Sequence, residues 1–150
     1  MARWADISGE TPEFAARVQA AFARNKHMTL ATVRRDGSPR ISGTEIRFAD
    51  GEVFVGMMPR SRKALDLLRD PRVAIHGPTA DPPDESREWI GESKLAGRAI
   101  EVPSDDPEDE SHTFRIQIDE VVFTRLNDAG DRLVIESWHP CRGIEVVERE

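Results

Sequence analysis

Two Asp-Gly steps, Asp36-Gly37 and Asp50-Gly51, constrain this chain most tightly. A short Asp-Gly loop between runs of alternating apolar and polar residues is a tight β-hairpin signal. From His27 the pattern has period two, with Met28, Leu30 and Thr32 alternating with Thr29, Ala31 and Val33. The stretch Arg35-Asp36-Gly37-Ser38 turns the chain into a second strand, from Pro39 to about Phe48. Ala49-Asp50-Gly51 turns it again into a third, Glu52 to Met57. The first half is therefore an antiparallel meander.

Residues Met1 to Glu10 read as a polar lead-in anchored by Trp4 and Ile7. Thr11-Pro12-Glu13 is a helix start: a cap, a proline at the first helical position, then an acid in the first turn. Phe14, Val18, Ala21 and Phe22 mark one face of a helix ending near Arg24, with Arg17 and Arg24 off that stripe. Beyond the meander, a helix and a strand over Arg72–His76 are expected. Gly77 to Gly91 is irregular, with the acidic, proline-rich Asp81-Pro82-Pro83-Asp84-Glu85 as an exposed loop. A strand follows from about Ser93 to Val102, with Gly97 at a bulge or close approach. Pro103 to Ser111 is a second acidic loop, and strands are expected over 113–126, 132–138 and 143–147. Many antiparallel strands with tight turns and two helices predict a small barrel forming one domain over 1–150, with 1–25 as a helical lead-in.

The most chemical stretch runs from Pro59 to Ile75. Pro59 cannot continue the strand pairing, so the chain turns there. Ser61 is a candidate N-cap, and Ala64, Leu65 and Leu68 are predicted to share the apolar face of the helix that follows. Pro71 disfavours helical geometry at Asp70 and stops it. Arg60, Arg62 and Lys63 crowd the helix N-terminus, where the dipole already favours an anion, so three cations need a reason. A bound phosphate is one reason, because arginine offers a planar fork of donors and lysine a point charge. A solvated basic turn is the other, and charge alone does not separate them. On the second strand, Arg40, Ser42 and Thr44 share one face and Ile41 and Glu45 the other; by itself the polar face reads first as the solvent-facing side of the sheet.

The net charge of −7 argues against nucleic acid or an anionic membrane as partner. With Cys141 the sole cysteine no intrachain disulfide forms, and with no leader-like N-terminus a cytoplasmic location is expected. The absence of tyrosine closes any mechanism needing a tyrosine acid. Ser137-Trp138-His139-Pro140-Cys141-Arg142 concentrates unusual chemistry near the C-terminus. His139-x-Cys141 has no second pair at ligand spacing, and His27, His76 and His112 are isolated, so no metal site is expected. Cys141 lacks a readable base for nucleophilic work. Packing of Trp138 in the core and solvation of Arg142 is the plain alternative for this cluster.

The segment Ser61-Arg62-Lys63-Ala64-Leu65-Asp66-Leu67-Leu68-Arg69-Asp70-Pro71-Arg72-Val73-Ala74-Ile75 resembles the phosphate-binding segment of the pyridoxamine 5'-phosphate oxidase-like proteins. The resemblance begins near Met28, is strongest through Ile75 and continues more weakly to the C-terminus. It implies an FMN-binding split β-barrel of six or seven antiparallel strands with flanking helices. It implies a homodimer with the cofactor at the interface, and a flavin- or deazaflavin-dependent oxidoreductase acting on a small organic molecule. The cofactor implied is FMN, with the deazaflavin coenzyme F420 and haem or another tetrapyrrole as alternatives. A non-catalytic carrier of such a ligand is the alternative activity. Under the resemblance, Arg60, Ser61, Arg62 and Lys63 hold phosphate, and Arg40, Ser42 and Thr44 line the phosphate and ring edge. Gly43 lets a planar ring approach, and the main chain at Met57 meets the ring edge. Trp138 and Arg142 would reach the flavin held mainly by the other subunit, and His139 is a candidate proton donor. The short chain and loosely similar C-terminus depart from the vitamin B6 oxidases, which speaks against pyridoxamine phosphate as substrate.

Overall fold

The computed structural model describes residues 1–85 and 88–150; Ser86 and Arg87, inside the expected irregular segment, lie outside the described residues. The chain runs α1 (Trp4–Glu10), α2 (Pro12–Ala23), β1 (His27–Val33), β2 (Pro39–Ala49), β3 (Glu52–Met57), α3 (Arg62–Arg69), β4 (Arg72–His76), β5 (Glu92–Val102), β6 (His112–Leu126), β7 (Leu133–His139) and β8 (Gly143–Arg149). All pairings are antiparallel, in the order β3-β2-β1-β4-β5-β6-β7-β8. β3 also pairs with β6, from Phe54↔Arg115 to Met57↔His112, which closes a six-stranded barrel. Its six strands agree with the six or seven expected, and β7 and β8 extend the sheet beyond it.

The two Asp-Gly turns hold. Gly37 and Gly51 both have positive φ, as tight turns require. In β1, Met28, Leu30 and Thr32 point inward; Val53, Val55 and Met57 do so from β3. β6 changes phase partway. Phe114, Ile116 and Ile118 are buried, and then Val121 and Phe123. Ala96 pairs with Glu120 but Gly97 with Ile118, so Asp119 is one extra residue on β6. That bulge swaps which side chains face the core and bends the strand from the barrel toward β7. Gly97 is the close approach that permits it, because a Cβ there would stand 1.9 Å from the Gln117 carbonyl oxygen. Gly97→Ala is expected to destabilise the protein by about 1–3 kcal/mol through main-chain displacement. Denaturant unfolding checks this, and an unshifted midpoint contradicts it.

Helices α1 and α2 pack together on the barrel, and α3 packs separately against β1. Phe14, Val18 and Phe22 of α2 pack inward, with α2 lying against β5 and β6. Trp4 and Ile7 are buried as expected, and within the helical lead-in they belong to a short helix of their own, α1. The hydroxyl of Thr11 donates to the Ile7 carbonyl and closes α1 instead of capping α2. A second correction concerns α3. Its buried positions are Ala64, Asp66 and Leu67, whereas Leu65 and Leu68 are 47% and 48% exposed. Ala64 and Leu67 are three apart and meet the barrel together; Leu65 and Leu68 form a separate outward row. Among the described residues, no helix is long and apolar enough to cross a membrane.

Candidate functional site

The turn between β3 and α3 is built as its residues dictate. The Ser61 amide donates to the Met58 carbonyl at 3.2 Å, and the Ser61 hydroxyl accepts from the Ala64 amide at 3.4 Å. Ser61 therefore caps α3, and the first-turn amides of such a helix face outward as anion donors. Arg62 and Lys63 occupy that first turn with no acid among the first-turn residues. Pro71 ends the helix as predicted, leaving Asp70 extended. The Arg72 guanidinium bonds to Asp70 and holds its carboxyl down at about 2.

Two clefts meet at this turn. The smaller, about 330 Å³, is lined by Arg34, Arg40, Ser42, Ser61, Arg62 and Lys63, together with Ile41 and Gly43. Four of these eight residues are cations and none is an acid, which suits a multiply charged anion. The larger, about 900 Å³, runs between β2, β3 and the start of β6 and includes Gly43, Thr44, Gly56, Met57, Met58 and Lys63. Gly43 and Lys63 line both, so the clefts form one continuous trough. The Lys63 ammonium donates to the Gly43 carbonyl at 2.5 Å, tying α3 to β2 at the junction. A Cβ built on Gly43 or Gly56 meets nothing within 4 Å. Both glycines leave open floor on which a flat group can lie. At the far end, the Arg47 guanidinium sits 4.6 Å from the Phe54 ring centroid.

Beneath the cationic cleft is Asp66, which the sequence reading passed over because it sits among leucines. It is 4% exposed, and its carboxylate accepts from Arg40 Nε at 2.7 Å, Thr32 Oγ1 at 2.8 Å and Arg69 at 3.2 Å. Burial works to raise its pKa, but the bonds from Arg40, Thr32 and Arg69 outweigh burial and leave it below the ordinary 3.8. The available signal was the i,i+3 pairing of Asp66 with Arg69 in a helix of otherwise basic and apolar residues. Arg40 is thus positioned by Asp66 through Nε while it lines the cleft. Arg40, Ser42 and Thr44 do share one face of β2, and it is the inward one: Thr44 is buried and the other two half-buried.

Comparison with known proteins fits this geometry. Residues 14–136 match the family model described as pyridoxamine 5'-phosphate oxidase. The chain belongs to the pyridoxamine 5'-phosphate oxidase-like family. No curated protein matches its sequence. Among solved structures it is similar to a pyridoxamine 5'-phosphate oxidase-related, FMN-binding protein of Nostoc punctiforme, with a TM-score of 0.67 at 12% identity over 97% of this chain and 99% of the other. It is also similar to a heme binding protein of Mycobacterium smegmatis, with a TM-score of 0.57 at 12% identity over 89% and 85%. An F420 reductase gives 0.53 at 14% identity over 69% and 94%.

The pyridoxamine 5'-phosphate oxidase-like fold brings together Arg40, Ser42, Ser61, Arg62 and Lys63 in one cleft, and Thr44, Met57 and Lys63 in the other. Four of the residues singled out in the sequence stay outside. Arg60 lines neither cleft and holds a left-handed backbone, φ 53°. Trp138 is 1% exposed, a core residue, so its side chain is too enclosed to reach beyond its own chain. Arg142 lies in the exposed β7–β8 turn, 3.9 Å from Glu145. His139 Nε2 is bonded to Glu120 at 2.8 Å and lines neither cleft.

Proposed function

We propose that this protein binds FMN, or the deazaflavin F420, and works as an oxidoreductase on a small organic substrate. The observation that carries the reading is the trough itself: a glycine-floored cleft continuous with a cationic helix N-terminus. The fit is chemical. A flat ring joined to a phosphate needs open main-chain floor at one end and forked and point-charge donors at the other, and this trough has both. Arg62, Lys63 and the Ser61 turn would hold the phosphate, with Arg40 fixed beside it by Asp66. Ser42 and Thr44 supply hydroxyls for the polar chain between phosphate and ring. When bound, the flavin supplies the hydride and electron chemistry; the protein binds it, orients it and sets its electrostatic surroundings.

The pairing of two subunits belongs to the same proposal. The outer barrel face carries Thr29, Ala31, Ile41, Ala74 and Ala96 along a shallow groove of about 340 Å³, and Ile41 is 75% exposed. Ile41 also lines the cationic cleft, so a second copy on this face would cover the cofactor. Arg142, exposed in its turn, is available to reach across. A second reading is a non-catalytic carrier of haem or a related ring, and His27, which lines the larger cleft, offers it an imidazole.

The test is an absorption spectrum of freshly purified protein, with mass spectrometry of what heat releases. A flavin or deazaflavin band with the matching mass, and reduction by a nicotinamide donor or turnover with an acceptor, is expected. A Soret band, or a flavin never reduced or turned over, gives the carrier reading instead. If FMN and F420 both fail to bind on titration, the proposal fails. Light scattering on the same sample is expected to give twice the chain mass, and a monomer rules out the shared site.

A further inference from the structure

Arg60 is the one residue of the β3–α3 turn with an unfavourable backbone: φ is 53°, a left-handed conformation that side chains with a Cβ seldom adopt. Its amide does not point into solvent or into the helix. It donates to His112 Nε2 at 3.3 Å, across from the first residue of β6. Because the main-chain N–H is the donor there, Nε2 is the acceptor and the imidazole proton sits on Nδ1. That nitrogen faces Glu101 Oε1 of β5 at 2.9 Å, a carboxylate that favours this tautomer. The ring is further fixed by lying nearly parallel to Phe114, 20° between planes, and by the Met57↔His112 pairing where β3 closes the barrel. The imidazole is therefore held on three sides and presents one lone pair to the strained residue next to the α3 cap.

Resting on the reading of that turn as the phosphate holder, we propose that His112 is a positioning residue for the cofactor phosphate. It latches the Arg60 amide, keeps the turn in the shape that aims Ser61, Arg62 and Lys63, and touches no part of the cofactor itself. Neither the charge pattern nor the spacing marks this role, since His112 stands alone in an acidic loop border and meets Arg60 only through barrel closure.

The latch acts on the phosphate end alone, and that separates it from a general structural role. FMN and riboflavin share the ring and ribityl chain and differ in the phosphate. Two variants divide the hydrogen bonds of His112. His112→Gln reaches with an amide oxygen to about the position of Nε2 and can still accept from Arg60. His112→Asn is shorter, stops near Nδ1, and can serve Glu101 but not Arg60. Each protein is titrated with FMN and with riboflavin by flavin fluorescence. The expected result is that His112→Asn weakens FMN on the order of fivefold, the worth of one neutral hydrogen bond, with riboflavin unchanged, while His112→Gln stays near wild type. Equal weakening of FMN and riboflavin in His112→Asn, or full FMN affinity in it, overturns the latch. Equal loss in both variants overturns it as well. A wild-type protein that binds FMN no better than riboflavin overturns the phosphate reading itself, a result recognisable before any variant is made.

Discussion

Asp66→Ala is expected to lower the free energy of unfolding by about 3 kcal/mol, a large fraction of what a domain of this size possesses. The substitution removes one carboxylate and takes the acceptor from Thr32 and Arg40, while Arg69 keeps the Val33 carbonyl. Thr32 is fully inside the barrel wall, and Arg40 is 17% exposed. An arginine stranded in that position retains its charge with little water to solvate it, which is why removing one partner of a buried pair costs more than the pair contributes. The partial exposure of Arg40 and of Arg69 keeps the expectation at the lower end of the range for buried pairs. Asp66→Asn retains an acceptor for Thr32 and should lose roughly half as much. The pH dependence has a definite sign. Folding lowers the carboxyl pKa of Asp66 below 3.8, so the folded state holds the proton less tightly than the unfolded chain. The stabilisation is complete above the unfolded value and is lost as pH falls through the folded one. Urea unfolding followed by tryptophan fluorescence at neutral pH and at about pH 3 tests both points. A loss under 1 kcal/mol at neutral pH, or an Asp66→Ala deficit that does not shrink in acid, removes Asp66 from its role as the buried ionised partner of Arg40.

The same aspartate marks the boundary of what the sequence discloses. The meander was legible because Asp36-Gly37 and Asp50-Gly51 are local signals: turn geometry depends on the residues in the turn and almost nothing else. Strand order is not local where β1 pairs with β4, and the pairing of β3 with β6 that closes the barrel joins residues separated by more than a third of the chain. The α3 stripe was misassigned for a related reason. Leu65 and Leu68 are the conspicuous apolar pair, and a hydrophobicity pattern selects them. The buried face contains an aspartate whose partners, Thr32 and Arg40, lie on other elements and so contribute nothing to a helical period. Helix α1 escaped because Ser8 and Gly9 disfavour helix and Arg3 is an unusual cap; Trp4 and Ile7 hold it by tertiary burial. For the site, the phosphate end was legible as charge misplaced against a helix dipole. The side chains around Trp138 do not converge, because unusual residue types near one another in sequence alternate faces on a strand. Trp138 points into the core and His139 away from it.

The second large effect falls on binding. Arg62→Ala combined with Lys63→Ala is expected to weaken FMN by about 3–6 kcal/mol, from roughly 1.5–3 kcal/mol for each charge-assisted hydrogen bond removed. The two residues act differently. Lys63 already bonds the Gly43 carbonyl at 2.5 Å at the junction of the two clefts, so it stands ready to exchange a neutral acceptor for an anionic one. Arg62 brings the forked donors and lines only the cationic cleft. Neither side chain is part of the buried core, so the double variant should unfold within about 0.5 kcal/mol of wild type. Riboflavin, lacking the phosphate, should bind wild type and variant alike. The discrimination lies in comparing the two ligands. If FMN and riboflavin weaken together, Lys63 is holding the trough open through Gly43 and its charge is incidental. If FMN affinity is unchanged, the cationic helix start is a solvated turn after all. Raising salt gives an independent reading, because an anion held by exposed cations is screened while a ring on a glycine floor is not: wild-type FMN affinity should fall with ionic strength, and that of the double variant, which keeps Arg34 and Arg40, should fall less steeply.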